Sequence, residues 1–328
     1  MSSFSDAAVQ RLGLRDDDAR RIRSLDGTGR NSMPIASVVI PTSRGGDYLR
    51  ESVASVQAQT IDDWEIVIVA DGLDEDLSDL ETDPRVRVFR QRSRGVSIAR
   101  NVGVNLATSD LVAFLDDDDR SLPDRLRAQV EAMDDETVGL CHAQAQIINS
   151  DGVVLKTGSS HASTYAEYLR LDGLSLIGVA MVRKSVFIEL GGFNPLFRVG
   201  EDFDLILRFA RESKIVYLPE VLLEYRHHAN NSWTRATPST GRELTLILEM
   251  HQLAAMDHGE TENLRMIRKG IKSVLPARAH LALSSANNAR EAHRYVKAML
   301  AFGRAFRYAP RASVRVAVRK MRKLADEG

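Results

Sequence analysis

The sequence predicts an α/β fold, a mainly parallel sheet flanked by helices and followed by a helical C-terminal region. Three observations carry this. Short β-branched runs alternate with helix-length amphipathic stretches from residue 36 to residue 133, the pattern of βαβ units. The strand runs are continuously apolar rather than alternating, as strands covered on both faces are. Beyond residue 240 the chain changes to long Ala/Leu/Arg stretches of helical character, broken at Pro310.

Taken in order, residues 1–33 form a polar, charge-dense N-terminal arm that ends at Gly27-Thr28-Gly29. Ala36 to Ile40, closed by Pro41, is a first strand. Tyr48 to Ala58 places Leu49, Val53 and Val56 at spacings of four and three, which predicts an amphipathic helix. Trp64 to Val69 and Val86 to Phe89 are the second and third strands. Ile98, Val102 and Leu106 mark a second helix, and Leu111 to Leu115 a fourth strand. Ser121-Leu122-Pro123-Asp124 reads as a helix start, with Ser121 as cap and Asp124 three residues on as in a capping box. Leu126, Val130 and Met133 supply its buried stripe. Val138 to Ile148 and Leu176 to Val182 read as strands, Lys184 to Leu190 as a helix stopped by Gly191-Gly192, and Phe203 to Arg211 as another helix. The stretch ATPSTGR at 236–242 marks a boundary. One domain therefore spans 34–236, in halves 34–120 and 121–236, with a C-terminal region over 237–328.

Composition narrows the class. Of 328 residues, 44% are hydrophobic and 27% charged, which excludes a disordered, fibrous or disulfide-scaffold protein. Lys plus Arg (44) nearly cancels Asp plus Glu (45), for a net charge of −1, so no nucleic-acid partner is expected. A single cysteine, Cys141, forms no internal disulfide and no Cys-based zinc site, and is expected in a strand core. The longest apolar stretches fall far short of the ~18 residues a membrane span needs. Residues 1–33 lack the apolar region of a secretory signal. The expectation is a cytoplasmic protein.

The acids fall at strand ends. The second strand runs into Asp71-Gly72 and the fourth into Asp116-Asp117-Asp118-Asp119. In open parallel sheets, ligands bind beyond the carboxyl ends of the strands. Four adjacent carboxylates repel one another, and a cation offsets that cost. Oxygen-only ligands favour Mg²⁺ or Mn²⁺. The bland alternative is a solvated acidic loop. Neither GxxxxGK[ST] nor GxGxxG follows any strand, which excludes P-loop kinases and Rossmann dehydrogenases. A second acidic group, Gly200-Glu201-Asp202-Phe203-Asp204, opens a helix, where the helix dipole alone favours acids.

Five segments in order resemble a family 2 nucleotide-sugar glycosyltransferase of GT-A fold, over residues 35–232. They are SVVIPT at 37–42, SVQAQT followed by WEIVIVADG, RGVSIARNVG at 94–103, LVAFLDDDD followed by LPDRL, and GGFNPLFRVGEDFDLILR at 191–208. The resemblance implies a site. Pro41 and Thr42 end the strand where such enzymes hold base and ribose, with Arg44 just beyond. Asp71 matches the acid that hydrogen-bonds the nucleobase, a carboxylate suiting the N3–H of uracil or thymine. Arg100 and Asn101 match a segment lining the nucleotide pocket. Asp116 to Asp118 match the DxD-type motif, with Asp118 as metal ligand and Asp116 or Asp117 on the ribose side. Asp202 matches the catalytic base of inverting members, and Glu201 beside it faces the acceptor. Tyr225-Arg226-His227-His228 is similar to a Y-R-x-H stretch whose histidine, here His228, approaches the metal or diphosphate. Ala70 and Arg44 depart from the family pattern, since relatives often carry an acid at the first and Tyr or Asn at the second.

The implied activity is inverting, metal-dependent transfer from a nucleoside-diphosphate sugar, UDP- or dTDP-linked, to an acceptor hydroxyl, in cell-surface glycan or glycoconjugate synthesis. The chemistry needs one cation for the leaving diphosphate and one separate base for the acceptor alcohol. Rival readings are a metal-dependent phosphohydrolase or phosphotransferase and a non-catalytic nucleotide-sugar-binding scaffold. Trp64 reads as packing, and Trp233 is the candidate to face an acceptor sugar. Residues 294–323 hold ten Lys/Arg and no acid, interleaved with apolar residues. Such a tail can lie on an anionic membrane surface and suits a lipid-linked acceptor, a docked partner or bare solvation being the alternatives.

Overall fold

A computed structural model describes residues 33–158, 162–169, 177–227 and 238–271. The N-terminal arm, His228, Trp233 and the basic tail at 294–323 lie outside the described residues. The elements are β1 (Ala36–Thr42), α1 (Gly46–Gln57), β2 (Trp64–Asp71), β3 (Val86–Gln91), α2 (Val96–Leu106), β4 (Leu111–Phe114), β5 (Arg120–Ser121), α3 (Arg125–Ala132), β6 (Val138–Ile148), β7 (Val154–Thr157), α4 (Tyr165–Leu169), β8 (Met181–Arg183), α5 (Lys184–Glu189), α6 (Glu201–Glu212), β9 (Lys214–Arg226) and α7 (Pro238–Asp257). A further helix covers 261–271.

The strands form one nine-stranded sheet in the order β3-β2-β1-β4-β8-β6-β9-β5, with β7 paired to β6. β3, β2, β1 and β4 are mutually parallel, as are β6 and β9. β8 runs antiparallel between β4 and β6, and β5 antiparallel to β9, so the sheet as a whole is mixed. Every residue of β1 and β2 is buried. On one face Val38, Ile40, Ile66 and Ile68 pack with Leu49, Val53 and Val56 of α1. On the other, α2 comes so close to β1 that a Cβ on Gly103 would collide with the Val39 side chain, which explains a glycine in mid-helix.

Two local expectations are corrected. Ser121 does not cap a helix. It lies in β5 opposite Leu223, its Oγ accepts from Arg125 Nη1 at 3.0 Å, and α3 starts only at Arg125. Tertiary pairing overrode the local cap signal. The apolar run ending at Val182 is not one strand. Ile177–Val179 is a 3-10 turn, and only Met181–Arg183 pairs in the sheet. Cys141 and Trp64 are buried as expected, the Arg85 guanidinium standing 3.7 Å over the Trp64 ring centroid.

The described residues fall into two compact units. The first holds the whole sheet with α1, α2, α3, α5 and α6. In the second, Ile247, Leu248, Ala255 and Ile267 are buried, and Glu243 accepts the backbone N–H groups of Arg198 and Val199 at 2.8 and 2.9 Å. No helix among the described residues is long and apolar enough to cross a membrane.

Candidate active site

Chain order reverses at β1. From β1 the sheet grows outward through β2 and β3, then returns to β4 on the opposite side. Such a switch point opens a crevice beyond the strand ends. Pro41 marks it in the backbone. Val39 accepts the Leu115 N–H at 3.1 Å, so alternate residues of β1 face β4. Pro41, two residues on, faces the same side after β4 has ended, where its missing N–H costs no ladder bond. All the site residues below belong to the first unit.

Four carboxylates follow β4, and each has its own partners. Asp116 Oδ1 accepts from Arg100 Nη2 at 2.7 Å. Asp117 accepts from Thr42 Oγ1 at 2.7 Å and from Arg44 Nη2 at 2.8 Å. The same Arg44 nitrogen lies 2.8 Å from Asp118 Oδ2. Asp119 turns inward, where its Oδ1 accepts the Arg226 N–H at 2.8 Å and its buried Oδ2 has no hydrogen-bond partner. A Cβ built on Gly178 would stand 3.4 Å from Asp119 Oδ2 and 3.5 Å from Asp116 Oδ2, so both carboxylates lie against that glycine. Burial, with Asp116 and Asp118 close by, raises the Asp119 carboxyl well above the usual range. Burial also raises Asp117, against the pull of Thr42 and Arg44.

Arg100 joins this cluster to the start of α6. Its second arm, Nη1, donates to Glu201 Oε1 at 3.2 Å. Asp202 Oδ1 accepts the Phe203 N–H at 2.7 Å. Burial and the neighbouring Asp202 push Glu201 up to about 7, Arg100 opposing. Asp202 is raised by burial and by Asp116, with the Phe203 N–H and Arg100 pulling it back. An acid pair whose proton affinity is raised beside an acidic cluster is the arrangement general base chemistry asks for. Asp204 points elsewhere, paired with Arg208 at 2.6 Å.

Two expected pocket residues have structural partners. Asp71 accepts from Gln91 Nε2 and from the backbone N–H groups of Arg94 and Gly95, at 2.8, 2.7 and 2.8 Å, and so shapes the turn into α2. Asn101 spends its amide on both backbone groups of Phe193, each at 2.8 Å. Arg226, which the sequence marked only as a member of the Y-R-x-H stretch and gave no role, is 1% exposed. Its Nε donates to the Asp118 carbonyl and its Nη1 to the Ser150 carbonyl, both at 2.8 Å, while Nη2 pairs with Glu51. An arginine inside the Y-R-x-H stretch, near the acidic cluster's expected partner His228, was the available signal.

The donor set suits a hard divalent cation. It is all oxygen, and the buried Asp119 Oδ2 beside it has no hydrogen-bond partner. Among the described residues no three His, Cys, Asp or Glu side chains are placed to hold a metal unaided. A cation here would need phosphate and water oxygens to complete its shell.

Comparison with known proteins agrees with this geometry. The sequence model described as glycosyl transferase family 2 matches residues 37–193. An uncharacterized glycosyltransferase of Rickettsia felis is 33% identical over 197 residues, 58% of this chain and 32% of that protein. The UDP-Glc:alpha-D-GlcNAc-diphosphoundecaprenol beta-1,3-glucosyltransferase WfgD of Escherichia coli is 26% identical over 189 residues, 55% of this chain and 72% of its own. The chain spans about a third of the length of the first curated relatives it matches. Among solved structures, S. aureus TarS 1-349 in complex with UDP-GlcNAc superposes with a TM-score of 0.56 at 16% identity, covering 82% of this chain and 90% of that one. The fold is thus the GT-A fold, and residues 37–193, which build the crevice, match the glycosyl transferase family 2 model.

Proposed function

We propose that the protein is an inverting glycosyltransferase that moves a sugar from a nucleoside-diphosphate donor, UDP- or dTDP-linked, to an acceptor hydroxyl of a cell-surface glycan or its lipid-linked precursor. One observation carries the reading. Arg100 bridges Asp116 and Glu201, and so sets a diphosphate-side acid cluster and an acceptor-side acid pair on opposite arms of one buried guanidinium.

The roles follow from chemistry. Thr42, Asp116 and Asp117 flank the mouth of the crevice on the ribose side, and Asp71 with Gln91 sets its rim. Asp118 is the carboxylate for a divalent cation, with His228 as a further ligand. A bound cation would supply Lewis-acid stabilisation of the departing diphosphate. Asp202 takes the proton of the acceptor hydroxyl as that oxygen attacks the anomeric carbon, and its raised affinity for protons matches it to that task. Attack on the face opposite the leaving group inverts the anomeric centre. Arg100 keeps Asp202 from becoming too basic to be ionised at working pH. In this reading Trp233 serves acceptor-sugar recognition, and the basic segment 294–323 serves contact with an anionic membrane surface at the cytoplasmic face. The name of WfgD, with its UDP-glucose donor and diphosphoundecaprenol-linked acceptor, supports a lipid-linked acceptor.

A panel of UDP-, dTDP- and GDP-sugars tests the reading, with Mn²⁺, with Mg²⁺ and with EDTA. One donor class should be hydrolysed or transferred in a metal-dependent way, and Asp202→Asn should abolish turnover while nucleotide binding persists. Turnover that survives Asp202→Asn would point instead to a phosphohydrolase built on the Asp116–Asp119 cluster alone.

A further inference from the structure

We infer that Arg44 is an exchangeable internal cation: it neutralises Asp117 and Asp118 before loading, and yields Asp118 to the divalent cation as it turns to the donor's diphosphate. This inference rests on the glycosyl-transfer reading and adds how the site loads.

The geometry is unusual in that one nitrogen serves two acids. Arg44 Nη2 lies 2.8 Å from Asp117 Oδ1 and 2.8 Å from Asp118 Oδ2. The acids are fixed and the arginine is not. Both carboxylate side chains are 10% exposed, whereas the Arg44 side chain is 47% exposed. Asp117 is anchored by Thr42, and the Asp118 backbone by Arg226. Arg44 hangs from a turn at the end of β1, in which Thr42 Oγ1 accepts the N–H groups of Arg44 and Gly45 at 3.4 and 3.1 Å. Gly45 and Gly46 then take φ of +62° and +78°, left-handed values that turn the chain into α1.

Charge decides the exchange. Arg44 stands at hydrogen-bond distance from both Asp117 and Asp118 and balances charge in that pair. The oxygen of Asp118 that faces Arg44 cannot hold a guanidinium and a divalent ion at once without bringing two cations into contact. A diphosphate changes the balance, because it brings negative oxygens that a guanidinium fork matches in bidentate fashion. Metal alone therefore competes with Arg44, while metal and nucleotide together displace it. By linkage each must tighten the other by the same factor.

The test is Mn²⁺ binding to the full chain, read by electron paramagnetic resonance, in the wild type, Arg44→Gln and Arg44→Lys, with and without UDP as the probe. Without UDP, Arg44→Gln should bind Mn²⁺ at least tenfold tighter than the wild type, with Arg44→Lys between the two. UDP should tighten Mn²⁺ in the wild type and do so several-fold less in Arg44→Gln. Equal or weaker Mn²⁺ binding in Arg44→Gln overturns the inference, as does Mn²⁺ binding absent from all three proteins. The exposed Arg44 supports no core, and Arg44→Lys preserves the charge should the neutral variant fold poorly. This readout needs no sugar turnover. Exchange without turnover of any donor would sink the transferase reading alone, and turnover without exchange would sink this inference alone.

Discussion

Arg100 Nη2 donates to Asp116 Oδ1 at 2.7 Å from a side chain only 6% exposed, so the first acid after β4 is paired from inside the protein. The other arm of the same guanidinium reaches Glu201, which makes one buried charge answerable for two halves of the site. Removing it strands carboxylates rather than merely deleting a contact. Arg100→Met should lower stability by about 3–5 kcal/mol, the usual cost of breaking a buried ion pair from one side. Arg100→Lys keeps the charge but cannot fork, and should recover part of that loss. Chemical denaturation of the three proteins at neutral pH checks the order.

The same arrangement sets a pH dependence. Glu201 is pushed from 4.5 up to about 7, and Asp202 is raised as well, both chiefly by burial. A base must be ionised to act, so turnover should climb with pH through the raised range rather than near the ordinary carboxylate value of about 4. Stability moves the other way. A raised carboxyl holds its proton in the folded state where the unfolded chain has released it, so its contribution is present at acidic pH and lost as pH rises toward about 7. Asp202→Asn carries no charge there and should lose less stability between pH 5 and pH 8 than the wild type. Denaturant midpoints at the two values read the difference. In Arg100→Met, the activity limb should shift to still higher pH, because the cation that restrains the pair is gone.

Arg226 holds the backbone from which the acids project. It touches Asp118 through the carbonyl and Asp119 through the carboxylate, and its ring neighbour is Tyr48, whose centroid lies 4.3 Å from the guanidinium. Partners of this kind, one shell behind a metal ligand, typically carry 10–100-fold in affinity or activity. Arg226→Lys should therefore reduce Mn²⁺ affinity by about tenfold or more. Its UDP binding should change less, because Thr42 and Asp117 do not depend on it. A matched pair of Mn²⁺ and UDP titrations separates the two effects.

Much of this was legible from residue order, and the failures have physical causes. The β1–β4 core announced itself because both faces of those strands are buried, which leaves a continuous apolar signature. The acids could be placed for a related reason, since a strand that ends in Asp fixes where the carboxylate emerges. Direction of pairing was not legible beyond β4: a buried run reads the same whether its neighbour is parallel or antiparallel, as β8 illustrates. The Ile177–Val179 turn also looked like strand, because its buried apolar side chains read the same in either conformation. Arg44 and Arg226 were visible as residues, but their partners lie 73 and 108 positions away, where no local pattern reaches.

His142 supplies a prediction independent of the site. It is fully buried in β6, its Nε2 lies 2.8 Å from the Ala162 carbonyl, and its ring sits 5.2 Å from that of Tyr217. Burial lowers it from 6.5 to about 4, with the Ala162 carbonyl opposing only in part. The unfolded chain therefore takes up a proton between those values that the folded protein refuses. The stability this group contributes is complete above pH 6.5 and drains away as pH falls toward about 4. His142→Phe cannot titrate, so it should show a flatter acid limb even if packing makes it weaker at pH 7. Comparing the slopes of melting temperature against pH from 7 to 4 distinguishes the titration from the packing loss. Parallel slopes would mean that the acid sensitivity of the fold arises elsewhere.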